Sequence, residues 1–566
     1  MPGTMEFVAP KDPQDRREGF YVLLDQPVGG IPQDDGTSRH PIYLSDARLV
    51  TFARMVGSVT DEELLKLLTT AQGFRTLVHS IGVSMSAQRP DMEVKFTFSF
   101  RGSRGEGSGS SHAFRLKTDG VEQVMVLGEL DWQEDDTIPG EFLFQMPSVE
   151  DLASATVKLY LNDGYHAPDI DPDKPVDFES SAYREMIARS FLSGGNNHRI
   201  KRLLSRIRAG EPVNLAFLGG SITQGAGAVP IQQNCYARKT FEAIRERYAP
   251  GTGENLHYIK AGVGGTPSQL GLIRYDRDIT RNGAMPPDLV VIEFAVNDEG
   301  DETCGVCYES LVRRILSEPQ QPAVILLFSV FANDWNLKKR LAPIGWRYQL
   351  PMVDLLEAVS PQFVAREGVE TVITKRQYFY DVYHPSNRGH RVMTDSLLYL
   401  LDRLDRQQEM GETDGDVPPV YGGNFTGIRL LDKKDCPADA VIDPGAFTGT
   451  DIDLQCVPLD DQAENTPEFP YNWKKEPGDR PFVLELTCAK LQMIFKDSGN
   501  LIFGKAQVRV DGAPVKCCDP LEAGWTHCHA TVLLDEETAK PHRIEVSMAP
   551  GEEDKTFTIL GFGYVR

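Results

Sequence analysis

A serine hydroxyl becomes a nucleophile near neutral pH only when a base lies within hydrogen-bond reach and a third group orients that base. Ser221 is the candidate nucleophile. It follows Gly219 and Gly220 at the end of an apolar, β-favouring run in VNLAFLGGSITQGAG, residues 213 to 227, and it leads into a helix-like segment. Strand, tight turn and helix start would hold its hydroxyl at the carboxyl edge of a sheet, with unpaired helical N–H groups behind it. The candidate base is His384 in Tyr380-Asp381-Val382-Tyr383-His384-Pro385. Asp381, three residues earlier, can present its carboxylate to the same side, fix the imidazole tautomer and leave the other ring nitrogen for the serine. Of the remaining histidines in this part of the chain, His198 precedes the first strand and His257 lies in or at the start of the second. Neither reaches a strand's carboxyl end. His390 falls near His384.

Acyl transfer also requires hydrogen-bond donors where the tetrahedral oxyanion develops. Two later turns offer them. Ala261-Gly262-Val263-Gly264-Gly265-Thr266 follows the second strand, and its glycines let a backbone N–H approach a reacting carbon closely. Ala295-Val296-Asn297-Asp298 follows the third and places the Asn297 amide at the carboxyl end of a central strand. Each piece alone is commonplace, because glycines serve turns and Asn-Asp pairs cap helices. The four in this order, each at a strand's carboxyl end, are not.

The elements that must carry these residues follow from periodicity. Strand-like runs at 215–218, 257–260, 289–294, 324–328 and 351–355 alternate with helical stretches such as 237–248, 308–316 and 391–404, preceded by helical 183–191 and 199–208. Continuous apolar strands alternating with helices predict a five-stranded parallel sheet between helices, a doubly wound, flavodoxin-like α/β domain over residues 176–408. Residues 1–175 read as a β-sandwich-like domain. Met92, Val94, Phe96, Phe98 and Phe100 alternate with polar residues, a Gly/Ser-rich loop covers 101–111, and Asp119-Gly120 is flanked by strand-like runs as in a hairpin. One helix is expected around 61–71. The Gly/Pro-rich stretch 409–425 reads as a linker, and 426–566 returns to period two as a second β-sandwich-like domain, with strands at 482–486, 491–495, 507–510, 544–548 and 557–560.

Composition sets the outer limits. A chain of 566 residues is too long for one core. Its net charge of −23 argues against nucleic acid or anionic lipid as a partner, since both need clustered Lys and Arg. The N-terminal MPGTMEFVAPKDPQDRREGF lacks the pattern of a secretory leader, and the longest apolar run, 323–332, is about half of what spans a bilayer. A cytoplasmic protein without membrane partners is expected, and the sequence leaves homo-oligomerisation open. Nine scattered cysteines suggest no disulfide framework. Neither the single Cys304-x-x-Cys307 nor the group Cys517, Cys518, His527, Cys528 and His529 has the spacing of a zinc site, so no metal and no cofactor is expected.

The pieces GGSIT, AGVGGT, AVND and DVYHP resemble, in order and spacing, the four blocks of the SGNH (GDSL-type) hydrolases, over roughly residues 180–408. The resemblance implies the SGNH α/β fold, Ser221 as nucleophile, His384 as base and Asp381 as its orienting partner. It also implies an oxyanion hole made of the Ser221 N–H, the Gly265 N–H and the Asn297 side chain. One departure stands out: where the family usually has Gly-Asp-Ser-Leu, this chain has Gly219-Gly220-Ser221-Ile222. Glycine loosens the turn, and the 194–197 loop is the candidate brace. Ancillary β domains on both sides of such a domain resemble multidomain carbohydrate esterases. The expected activity is hydrolysis of short acyl esters, above all acetyl, on carbohydrate, as in an enzyme trimming imported oligosaccharides. A thioesterase, lipase-like esterase or acyltransferase would use the same site, and a non-catalytic glycan-binding protein is the reading from another class.

Overall fold

In the strand Glu93–Gly102 every second residue is buried, and Phe96 and Phe98 meet Phe142 and Phe144 of the neighbouring strand Asp136–Met146. This is the alternation the sequence dictates. The computed structural model describes residues 17–33, 35–103, 108–364, 371–411, 417–462 and 464–566. Parts of three sequence readings, the leader comparison over 1–20, the loop at 101–111 and the linker at 409–425, therefore lie outside the described residues.

The described residues fall into two compact units. One comprises those of Met1–Asp177 with Gly227–Asn234 and Ile373–Gly389; the other comprises Phe178–Ala226, Cys235–Val372 and His390–Arg566. Within the first, two antiparallel sheets of four and five strands share an apolar core that contains the phenylalanine cluster. Asp119-Gly120 does not form a hairpin. Ser111–Lys117 pairs with Glu93–Gly102 in one sheet, whereas Gln123–Val126 pairs with Val78–Ser86 in the other. The turn carries the chain between sheets, and the Thr118 hydroxyl, donating to the Arg89 carbonyl at 2.5 Å, holds it there. The helix expected around 61–71 is two helices. Asp61 caps Glu62–Leu67, and Thr70 caps a separate Ala71–Leu77.

In the second unit, five parallel strands lie in the order Leu256–Gly262, Val213–Gly219, Leu289–Glu293, Ala323–Phe328, Met352–Asp354. That is the flavodoxin-like 2-1-3-4-5 order, whose ligand crevice lies beyond the carboxyl ends of the strands. A sixth strand, Phe191–Ser193, adds to the Met352–Asp354 edge in the antiparallel sense. Its first residue, Phe191, closes the helix predicted over 183–191, but that helix stops at Arg189.

In the C-terminal β domain of this unit eight strands form one continuous antiparallel sheet, and Cys456–Val457 pairs with Thr466–Pro467 in a small sheet of its own. Phe482–Asp497 and His527–Met548 are long enough to pair with different neighbours along their length. The sequence suggests two shorter strands at 482–486 and 491–495 because register shifts near Cys488–Lys490 interrupt the alternation while the strand continues. The expected linker is anchored at its end. The N–H groups of Val420, Tyr421 and Gly422 donate to the buried Glu309 carboxylate at 2.7, 2.6 and 3.0 Å, and Phe425 is buried in the core. No helix among the described residues is long and apolar enough to cross a membrane.

Candidate active site

The strand Val213–Gly219 ends beside Gly262 and Glu293, and the chain turns at Gly220 into the short helix Ser221–Gln224. The Gln224 N–H donates to the Gly220 carbonyl at 3.0 Å, and the Gly220 N–H reaches the Glu293 carbonyl at 3.3 Å. The wholly buried Arg274 fastens the turn from below. Its guanidinium donates to the carbonyls of Gly219 and Ala261 at 3.0 and 2.9 Å, joining the carboxyl ends of two strands, and pairs with Asp278 at 3.0 Å. Burial alone would raise the Asp278 carboxyl, but Arg277 and Arg274 outweigh it and hold it at about 2.

Asn297, past the end of the next strand, lies against this turn. A Cβ at position 220 would sit 2.2 Å from Asn297 Oδ1 and 3.0 Å from Nδ2, so the space that a side chain at 220 would need is filled by the carboxamide. In this chain the packing leaves room at 220 for glycine. The 194–197 loop is not the brace. It lies elsewhere in the unit, the Asn196 N–H donating to the Gln349 carbonyl at 2.6 Å and Asn197 Nδ2 to the Gln408 carbonyl at 3.0 Å.

The glycine turn comes to the same place. A Cβ on Gly264 would stand 3.7 Å from Ser221 Cβ, and Gly265 adopts φ +72°, a conformation that favours glycine. The C-terminal β domain meets this turn. Gln455 Nε2 donates to the Gly264 carbonyl at 2.8 Å, His527 Nε2 lies 3.1 Å from the Gly265 carbonyl, and His527 Nδ1 meets Asp497 at 2.8 Å. Ser221, Gly265 and Asn297 thus come together in one unit.

Asp381 and His384 come together in the other. Asp381 Oδ1 accepts the N–H groups of Tyr383 and His384, each at 2.8 Å, while Oδ2 meets His384 Nδ1 at 2.9 Å. Burial pushes the Asp381 carboxyl up, but His384, the Tyr383 N–H and Arg48 outweigh it and hold it below the usual range. An ionised Asp381 facing Nδ1 selects the tautomer with the proton on Nδ1, which makes Nε2 the basic nitrogen. The N-terminal sandwich steadies this loop. The Tyr380 hydroxyl and buried His40 Nε2 lie 2.6 Å apart, and His40 Nδ1 is 3.1 Å from the Gly29 carbonyl. Burial lowers His40 to about 4, which keeps the ring neutral at ordinary pH.

Residues 217–392 match the GDSL-like lipase/acylhydrolase family. The chain therefore carries a GDSL-like acylhydrolase domain. Among solved structures, a two-domain esterase (CEX) active on acetylated mannans is 26% identical with a TM-score of 0.57, over 67% of this chain and 99% of that one. The same esterase co-crystallised with mannopentaose is 26% identical with a TM-score of 0.56, over 67% and 98%. None of the curated proteins matches the chain.

Sequence reasoning missed several groups around the candidate site. Glu293, fully buried at a strand end, accepts the Thr223 hydroxyl at 3.1 Å, and burial raises its carboxyl to about 8, so it is largely protonated at neutral pH. Nothing in the pattern LVVIEF distinguishes it from any strand terminus. Gln455 and Arg274 carry no motif at all. The sequence offers His527 and His529 only as zinc candidates alongside cysteines. The structure pairs them with Asp497 instead, the three offering ligand atoms within 4.8 Å of one another, a group able to hold a metal ion. Cys528 alternates to the buried opposite side of their strand, and Cys517 and Cys518 lie on a strand separated from theirs by Ala506–Val510. All nine cysteines are free thiols.

Proposed function

We propose that this protein is a serine esterase that removes short acyl groups, acetyl above all, from carbohydrate. Ser221 Oγ attacks the ester carbonyl carbon as His384 Nε2 takes the hydroxyl proton, with Asp381 holding the ring and compensating the imidazolium charge. The tetrahedral oxyanion is received by the N–H groups of Ser221 and Gly265 and by the Asn297 side chain. Collapse breaks the bond to the sugar oxygen, which leaves with the proton from His384. Water, deprotonated by His384, then attacks the acyl-serine, and the proton returns to Ser221 Oγ as the free acid departs.

The observation that carries this reading is the packing of the Asn297 carboxamide and the Gly264–Gly265 turn around Gly220-Ser221. The orientation of His384 by Asp381 supports it. The substrate class rests on the likeness to an esterase active on acetylated mannans. Ser221→Ala is expected to abolish acetate release from acetylated manno-oligosaccharide while leaving the melting temperature unchanged. Wild-type turnover in that variant would refute the assignment, and comparison of acetyl, butyryl and longer esters of sugars and simple alcohols tests the acyl and substrate preference.

A further inference from the structure

Two side chains of the C-terminal β domain grip consecutive carbonyls of the glycine turn. Gln455 is tied at both ends of its amide, Nε2 donating to the Gly264 carbonyl at 2.8 Å and Oε1 accepting the Cys528 N–H at 3.1 Å. His527, fixed by Asp497, stands at the Gly265 carbonyl. The Gly264–Gly265 peptide is trans, so its C=O and N–H point in opposite directions within one plane. Anchoring the Gly264 oxygen therefore aims the Gly265 N–H. Among the described residues that N–H donates no hydrogen bond, which leaves it available to a ligand. Gly265, with no side chain and φ +72°, cannot hold the planes on either side of it by its own packing.

We infer that Gln455, seconded by His527, is a positioning residue that sets the oxyanion hole, so that the C-terminal β domain is part of the catalytic apparatus. This rests on the reading of Gly265 as an oxyanion donor. Losing the anchor frees the peptide plane to rotate, which weakens a contact made mainly in the transition state and leaves ground-state binding intact.

The test uses the full chain and the hydrolysis of an acetylated manno-oligosaccharide, with turnover counted per serine titratable by an organophosphonate. Gln455→Leu and Gln455→Met, both lacking the donor, are expected to lower kcat about ten- to hundredfold with KM within about twofold, in the range seen when one oxyanion donor is lost. His527→Ala is expected to lower kcat in the same sense. A purely structural role would lower the number of titratable sites and leave turnover per site unchanged; that result, or wild-type kcat in either Gln455 variant, overturns the inference. Should Gln455→Leu fail to fold, Gln455→Met, which keeps the side chain's length, decides alone with His527→Ala. If Ser221→Ala retains activity the functional reading falls; if Ser221 is essential while the Gln455 variants turn over normally, only this inference does.

Discussion

Gly220→Ala is the smallest perturbation that separates a catalytic Asn297 from a merely structural one. The added Cβ would stand 2.2 Å from Asn297 Oδ1, more than 1 Å inside ordinary contact, and 2.7 Å from Cγ. The obstacle behind position 220 is this amide, so the amide must retreat. A shift of about 1 Å in a positioned catalytic group costs on the order of 10²-fold, and loss of an oxyanion donor costs about 10²–10³, equivalent to roughly 3–4 kcal/mol of transition-state stabilisation. The expectation for Gly220→Ala is therefore a kcat about a hundredfold lower, with KM within about twofold because the acyl-sugar ground state gains little from that donor. Gly220→Asp, which restores the residue usual in the family, should fare no better. Initial rates of acetate release, with thermal melting as a control, measure the effect, and Asn297→Ala supplies the reference loss. Because both substitutions remove one interaction, the double variant should be no slower than the worse single one. A wild-type kcat in Gly220→Ala, or losses that multiply in the double variant, would refute this account of the turn.

Two further outcomes follow from protonation. Glu293 is raised from 4.5 to about 8, so between those values the unfolded chain has released a proton that the folded chain keeps, and stability falls as pH rises, by up to a few kcal/mol at about 1.36 kcal/mol per unit. Glu293→Gln should remove that slope in urea unfolding near pH 5 and pH 8, and identical pH dependence in both proteins would contradict it. Asp381 is held below its ordinary 3.8, so its contribution to stability is complete above that value and is lost as pH falls through the lower, folded one. Asp381→Asn should flatten the acid limb of the stability curve and slow acetate release less than His384→Ala does; the reverse order of rates would count against the orienting role.

The readable parts of the fold were those where one period runs uninterrupted. Phe96, Phe98 and Phe100 announce a half-buried strand, and the apolar runs at 215–218 and 289–294 announce parallel strands, because burial is dictated by position along a single element. The signals failed where tertiary context decides. Asp119-Gly120 suits a hairpin locally, yet its flanking strands find better partners in different sheets. The break in alternation near Cys488 reads as a strand end, yet a register shift lets the strand continue. The same division holds for the candidate site. Ser221, Gly265, Asn297, Asp381 and His384 each sit in a short block whose residue types state their chemistry. Gln455, 191 residues from Gly264, sits in no block, since any residue with an amide donor at that point in space would serve.

That distinction explains why the turn before Ser221 can depart from the usual Gly-Asp-Ser-Leu. A turn with glycine at both 219 and 220 has little rigidity of its own. Here its rigidity comes from surrounding groups. The Arg274 guanidinium holds the Gly219 and Ala261 carbonyls, Asn297 fills the space over Gly220, and Gln455 and His527 hold the facing glycine turn. Arg274 is itself bonded to Asp278, which Arg277 links to Glu468 of the C-terminal β domain, with the Arg277 guanidinium 4.7 Å from the Phe469 ring. The α/β domain and the C-terminal β domain therefore share one largely buried ionic network ending at the carbonyl just before Gly220-Ser221. Backbone freedom that a side chain at 220 would otherwise restrict is taken up by contacts between domains, and this is why the turn's geometry cannot be derived from residues 213 to 227 alone.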